Sequence, residues 1–461
     1  MEFQLNDLIC ISPVDGREYA RRPLTPPAEV ERVLVRARRA QRDWAEVPLN
    51  ERRAAVLRFL AALERLNGEI VPELAWQMGR PVRHEGELRS LAERVAALAA
   101  LAETVLAPET VADGRSVLRT PVGLVLVIAP WNYPFLTAAN TIVPALLAGN
   151  AALLKHSAQT LIAGERFAEA FAAAGLPDGL FDNLFLDHEA TARLLGAGLV
   201  DHATFTGSVE GGRAVERAAA GSLTTLTLEL GGKDPAYVRE DSDVAAAVAG
   251  IADGAFYNSG QSCCAVERVY VHEAAWDAFL EGLTEAARAY RLGDPLEPGT
   301  SLGPMATAKG AGVVRRQVAA ALAAGATAHV APDLFPADTG QGRYVMPQVL
   351  TGVDHGMTVM REETFGPVVG VMKVGSDQEA VRLMNDSKYG LAASLWTRDL
   401  DAAARLATQI EAGTILANRC DYLDPLLAWT GLKASGRGAS LGRWGFESVT
   451  RPKSLHLRST Q

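Results

Sequence analysis

Apolar residues recur at helical spacing over residues 26–45 and again over 52–66, with Leu49-Asn50-Glu51 placed to cap the second run. Met78-Gly79-Arg80-Pro81 stops another helix, and residues 84–106 supply one more, so this part of the chain predicts a helical layer over a sheet. Ahead of it, residues 11–16 read as a turn between two short extended pieces. The pattern then changes. Residues 122–128 form an unbroken apolar run closed by Ala129-Pro130, which suits a buried parallel strand better than an alternating surface strand. Helical spacing over 136–148, 159–174 and 189–195 alternates with extended runs at 151–154, near 184–186 and at 202–206. A helix opened by Gly207-Ser208-Val209-Glu210-Gly211-Gly212 then runs to about residue 220, and residues 226–233 form the next extended run.

A second α/β unit begins after that run, with helices over 243–256, 274–288, 312–324, 377–384 and 401–411. Strands are expected at 269–271, after Gly366-Pro367 and at Leu395-Trp396. Residues 418–437 are loop-rich, and residues 453–458 alternate as a terminal strand. At 461 residues the chain exceeds a single core, and two or three domains are expected.

Composition removes several function classes. The 45 basic and 54 acidic residues give a net charge of −9 without a clustered Lys/Arg block, so no nucleic-acid partner is expected. There is no CxxC pair and no HExxH, and the eight histidines are scattered, so no metal site is expected. No basic and apolar leader opens the chain and no run of about 18 apolar residues occurs, which leads us to expect no membrane partner and a soluble cytoplasmic protein.

Four cysteines occur, at 10, 263, 264 and 420. Cys263 and Cys264 are adjacent, and Cα atoms about 3.8 Å apart do not readily bridge, which favours one nucleophile with one neighbour. Packing as small buried hydrophobes is the alternative. Asn258, Ser259, Gln261 and Ser262 surround the pair with hydrogen-bonding groups that apolar packing does not need. Asn132 and Lys155 both fall at carboxyl ends of predicted strands, where open α/β sheets bind ligands. Glu229 stands between apolar neighbours just before Gly231-Gly232, where desolvation raises a carboxylate's basicity or an ion pair neutralises it. The glycines at 207–212 let a ligand approach a helix start, or serve a tight turn alone.

In order along the chain, Pro130-Trp131-Asn132, Lys155 with Ser157, Phe205-Thr206-Gly207-Ser208, Glu229-Leu230-Gly231-Gly232-Lys233, Asn258-x-Gly-Gln-x-Cys263, Glu363-x-Phe365-Gly366-Pro367 and Ser435-Gly436-x-Gly438 resemble the NAD(P)-dependent aldehyde dehydrogenase superfamily over essentially the full chain. The resemblance implies an α/β fold, with a Rossmann-type cofactor domain, an α/β catalytic domain and a small bridging β element. It assigns residues 1–104 and 122–231 to the cofactor domain and 232–432 to the catalytic domain. Residues 105–121 and 447–461 form the bridging, oligomerising element, and 433–446 return to the cofactor domain. It selects Cys263 as nucleophile, Asn132 as oxyanion donor and Glu229 as the general base that hydrolyses a Cys263 thioester. NAD or NADP is the implied cofactor, held by Trp131, Lys155, Ser157, Gly207, Ser208, Gly212, Leu230, Glu363 and Phe365.

The implied reaction oxidises a small-molecule aldehyde, with water as co-substrate, to a carboxylic acid. A CoA-acylating enzyme and a non-catalytic scaffold are the alternatives. A homodimer or homotetramer is implied, through the edges at 117–120 and 455–458. Two departures bear on specificity. Ala158 stands where NAD-preferring members commonly carry Glu, so NAD and NADP both remain credible. Residues 418–431 replace the family's frequent substrate-side sequence, and they suggest Tyr133 and Trp429 as walls of an aldehyde tunnel. Arg419 in the same stretch could attract a substrate carboxylate, or simply pair with a loop acid such as Asp421.

Overall fold

A computed structural model describes residues 7–458. Residues 1–6 and 459–461, which the sequence assigned to the outer ends of the cofactor and bridging units, lie outside the described residues. Asp7–Ile11 and Glu18–Pro23 pair as an antiparallel hairpin, followed by the helices Pro27–Ala45, Leu49–Arg65, Asn67–Met78 and Leu88–Val105. Two of these starts differ from expectation. Pro48, not the 49–51 stretch, precedes the second helix, and its carbonyl accepts from the N–H groups of Glu51 and Arg52. The helix expected from residue 84 begins at Leu88, because Val82–His84 is a single 3-10 turn and Glu85 and Gly86 follow it with φ of 55° and 76°.

The first large sheet has six strands, ordered Gly436–Arg437, Thr225–Glu229, His202–Thr206, Leu124–Ile128, Ala151–Lys155 and Phe181–Asn183. Only Gly436–Arg437 runs antiparallel to its neighbour. Numbered along the chain, the five parallel strands lie in the order 5-4-1-2-3, the doubly wound arrangement. The order reverses between Leu124–Ile128 and His202–Thr206, so a crevice is expected beyond their carboxyl ends. Leu124–Ile128 is buried throughout, as its unbroken apolar run requires. The strand expected near 184–186 lies three residues earlier, while Leu184 and Leu186 are buried in the core beyond it.

The second large sheet has seven strands, ordered Thr327–Ala328, Gln348–Thr351, Val368–Val374, Val266–His272, Asp234–Val238, Ala392–Trp396 and Thr414–Ala417. Asp234–Val238, fully buried near its centre, escaped the sequence reading because Asp-Pro signals a turn. Proline is accommodated there by a register shift between Asp234 and Pro235. A third sheet joins Glu109–Ala112, Arg115–Pro121 and Thr450–His456, with Val117 opposite Ser454 and Ser116 opposite Leu455. Among the described residues, no helix is long and apolar enough to cross a membrane.

The connection at 230–233 positions the site. It leaves the carboxyl end of Thr225–Glu229 in the first sheet and enters the amino end of Asp234–Val238 in the second. Gly232 lies against the Cys263 carbonyl so tightly that a β-carbon would come within 2.4 Å of its oxygen. Only glycine allows the two sheets to meet this closely.

Candidate active site

The thiol turn is built from strained backbone. After the helix Val244–Phe256, Asn258, Ser259 and Gly260 all take the left-handed conformation, with φ of 53°, 58° and 67°. For the two non-glycine residues this is costly and must be held from outside. Asn258 Nδ2 donates to the carbonyls of Asn132 and Gln261, at 3.2 and 3.3 Å, and Ser259 Oγ donates to the Gly303 carbonyl at 2.8 Å. Gln261 Oε1 accepts from the Ala306 N–H at 2.8 Å. The polar residues around the cysteines therefore brace the loop.

The two thiols have different surroundings. Cys263 is half-buried on a cavity of about 370 Å³. Cys264 is 3% exposed, and its Sγ donates to Asp421 Oδ1 at 2.9 Å, the oxygen that also accepts from Ser262 Oγ at 2.7 Å. The neighbouring Cys263 thiol and burial hold the Cys264 thiol well above its usual range. A protonated, occupied thiol is a poor nucleophile, so the geometry separates the adjacent pair.

Asn132 follows the strand Leu124–Ile128, and its Nδ2 donates to the Gln261 carbonyl at 3.1 Å. An amide nitrogen carries two donors, so one remains for another acceptor. The backbone of Asn132 is held by Arg80, 1% exposed, which donates to the Asn132 carbonyl at 2.5 Å, to Glu87 Oε1 at 2.7 Å and to Asn258 Oδ1 at 3.3 Å. Glu87 Oε2 in turn accepts from the N–H groups of Phe135 and Leu136, capping the helix Pro134–Ala148. Arg80 and Glu87 had no sequence signal beyond Gly-Arg-Pro after a helix, because, apart from each other, their partners lie some fifty and more positions away.

Glu229 ends the strand Thr225–Glu229 and is 7% exposed. It accepts from Thr206 Oγ1 at 3.1 Å and closely from Ser440 Oγ. Burial raises its pKa, while the Ser440 and Thr206 hydroxyls and the Arg94 charge oppose the rise. Its alternatives resolve into a buried carboxylate in a hydroxyl cradle, with no ion-pair contact among the described residues. It does not line the Cys263 cavity.

On the other side of the 230–233 connection, Glu363 Oε1 accepts from the Gly232 N–H at 3.2 Å. Burial and the nearby Glu267 push Glu363 up to about 8. Phe365, at φ 51°, meets Trp131 edge to face with ring centroids 5.6 Å apart. The loop carrying both is set by Glu267, which accepts from the N–H groups of Thr364 and Phe365 and pairs with buried Lys233. Glu267 carried no motif, and Lys233 appeared only as the end of one.

Lys155 ends the strand Ala151–Lys155, and its ammonium has no protein hydrogen bond among the described residues. Burial holds it below the usual lysine range, with Asp187 opposing. A half-buried cation of this kind suits the hydroxyl or phosphate oxygens of a ligand. Ser208 caps the helix Val209–Ala219 through the Gly211 N–H, leaving a helix N-terminus beside the sheet's switch point. Ser157 Oγ accepts locally from the Gln159 N–H. Gly212 serves packing, since a β-carbon there would come within 2.5 Å of the buried Leu230 side chain, and Gly207 lies as tightly against the Phe205 ring. Lys155, the Ser208 helix start, Trp131, Phe365 and Glu363 therefore fit a dinucleotide laid across the crevice.

The substrate-side expectations divide. Tyr133 lines the cavity beside Cys263, together with Tyr257, Asp421 and Tyr422. Trp429 is not a wall residue. It is 3% exposed within the core, and its backbone pairs with Ser440. Arg419 is exposed, 3.2 Å from the Tyr422 ring centroid and outside the cavity lining, and its anticipated acid neighbour Asp421 bonds Ser262 and Cys264 instead.

Comparison with known proteins agrees with this geometry. The model of the aldehyde dehydrogenase family matches residues 2–455. A betaine aldehyde dehydrogenase from Cereibacter sphaeroides is 36% identical over 97% of this chain and 93% of its own. An NADP-dependent succinate-semialdehyde dehydrogenase from Deinococcus radiodurans is 33% identical over 98% and 95%. The crystal structure of an NAD-dependent aldehyde dehydrogenase from Sinorhizobium meliloti superposes with a TM-score of 0.92 at 32% identity, over 99% of this chain and 93% of that one. The chain belongs to the aldehyde dehydrogenase family. Its activity is the NAD(P)-dependent oxidation of an aldehyde through a thioester.

Proposed function

We propose that the thioester is released by water, making the protein a hydrolytic aldehyde dehydrogenase that forms carboxylic acids. In this reading Cys263 adds to the aldehyde carbon, because of the two thiols lining the cavity it is the half-buried one, while Cys264 is buried and hydrogen-bonded to Asp421. The free N–H of the Asn132 amide and the Cys263 main-chain N–H stabilise the oxyanion. NAD or NADP, when bound, supplies the hydride acceptor, and Lys155, the Ser208 helix start, Trp131, Glu363 and Phe365 would hold it. Glu229 takes a proton from water, whose oxygen enters the carboxylate product as the Cys263 sulfur leaves. The observation that carries this reading is Glu229 itself, a buried carboxylate made more basic by desolvation at the end of a strand leading toward the thiol loop.

Glu229→Gln tests it in rapid mixing with an aldehyde and each of NAD and NADP. The expected outcome is one equivalent of reduced nicotinamide followed by a turnover rate about 10²- to 10⁴-fold below the parent, with the acyl group found on Cys263 by mass spectrometry. Unchanged turnover would remove Glu229 from deacylation. Turnover that requires CoA would replace water as acceptor with the thiol of that cofactor.

A further inference from the structure

The named relatives do not choose a substrate charge, since betaine aldehyde is cationic and succinate semialdehyde anionic at similar identity. The cavity before Cys263 does. Its lining includes Glu93, Asp253 and Asp421, none of which has an ion-pair partner among the described residues. Glu87 also lines it but is neutralised by Arg80. The one basic lining residue, Arg94, is buried, donates to Asn140 Oδ1 at 2.7 Å and faces the charges of Glu229 and Glu87. Asp421 spends only Oδ1 on Ser262 and Cys264, so Oδ2 has no hydrogen bond among the described residues. Asp253 and Glu93 are exposed, and Tyr133 and Tyr257 add aromatic rings to the lining, with the Arg80 guanidinium over the Tyr133 ring at 4.8 Å. Arg419 lies on the Tyr422 ring at the exposed rim, where solvent screens its charge.

Resting on the hydrolytic reading above, we infer that the cavity selects aldehydes whose far end carries a positively charged nitrogen, with Asp421 and Asp253 as specificity residues. A carboxylate there would meet a lining in which acids outnumber the single guanidinium of Arg94, whereas an ammonium group would find acids and aromatic rings.

The test compares kcat/KM for aldehydes of matched chain length ending in trimethylammonium, methyl or carboxylate, at low and high salt. The ammonium substrate is expected to exceed the carboxylate substrate by about tenfold or more at low salt, with the ratio falling as salt rises. Asp253→Asn is expected to lower the ammonium value about threefold relative to the methyl value, and Asp421→Asn to lower the ratio further. Equal turnover of all three aldehydes, a preference for the carboxylate, or an Asp253→Asn loss shared by the methyl substrate would overturn the assignment while leaving hydrolytic oxidation intact. No oxidation of any aldehyde, the methyl one included, would overturn both.

Discussion

Arg80 and Glu87, seven residues apart and both buried, form an ion pair at 2.7 Å that ties the backbone of Asn132 to the start of the helix Pro134–Ala148. Removing one partner leaves the other charge buried and uncompensated. Arg80→Ala is therefore expected to destabilise the fold by about 3–5 kcal/mol, read from urea unfolding midpoints. Arg80→Lys, which keeps the charge but loses the planar fork, should recover part of that stability. It should leave activity depressed, because one ammonium group cannot hold Glu87, Asn132 and Asn258 together. Full activity in Arg80→Lys would show that the Asn132 backbone needs no such support.

The unequal surroundings of the adjacent thiols predict unequal chemistry. Iodoacetamide at neutral pH should label Cys263 at least about tenfold faster than Cys264, since only a thiolate attacks and Cys264 is held protonated. Peptide mapping by mass spectrometry reads the two sites separately. Cys263→Ser should abolish turnover. Comparable labelling of both thiols would contradict the division of roles.

Glu229 must be ionised to accept a proton from water. Because burial raises its pKa, the acid limb of kcat should lie above the usual carboxylate value of about 4.3. The Ser440 hydroxyl stabilises the ionised form, so Ser440→Ala should move that limb to higher pH. A pH profile of both forms measures the displacement, and a shift to lower pH would contradict the assigned cradle.

Glu363 makes a stability prediction of definite sign. Its folded pKa, about 8, lies above an unfolded value of about 4.3. Relative to an unperturbed carboxyl, its contribution is therefore fully present below about pH 4.3 and is lost as pH rises through 8. Without cofactor, Glu363→Gln should raise the melting temperature more at pH 8.5 than at pH 5. The same variant should weaken NAD(P) binding, which calorimetry measures apart from stability. A melting temperature raised equally at both pH values would rule out the titration as its cause.

Much of this architecture was legible because it is local or periodic. The apolar run ending at Ile128 had to be a buried strand, and His202–Thr206 lies where the pattern placed it. The terminal strand starts three residues earlier than read, yet pairs with Arg115–Pro121 as the family resemblance implied. Asp234–Val238 was hidden by an Asp-Pro that a register shift accommodates, a compensation supplied by the neighbouring strand. Trp429 looked like a tunnel wall because large aromatic residues suit both walls and cores, and periodicity cannot tell which side a loop turns inward.

Motif order along the chain was enough to name the family and to bring Cys263, Asn132, Glu229 and Glu363 forward, because each is carried by a short run of neighbours in sequence. Tertiary structure alone decided what surrounds them: Asp421 against Cys264, Arg80 beneath Asn132, Ser440 on Glu229 and Glu267 beneath the Glu363 loop. Those contacts join residues up to 211 positions apart. Burial and charge balance at a point in space depend on which distant segments converge there, and no local pattern records that convergence.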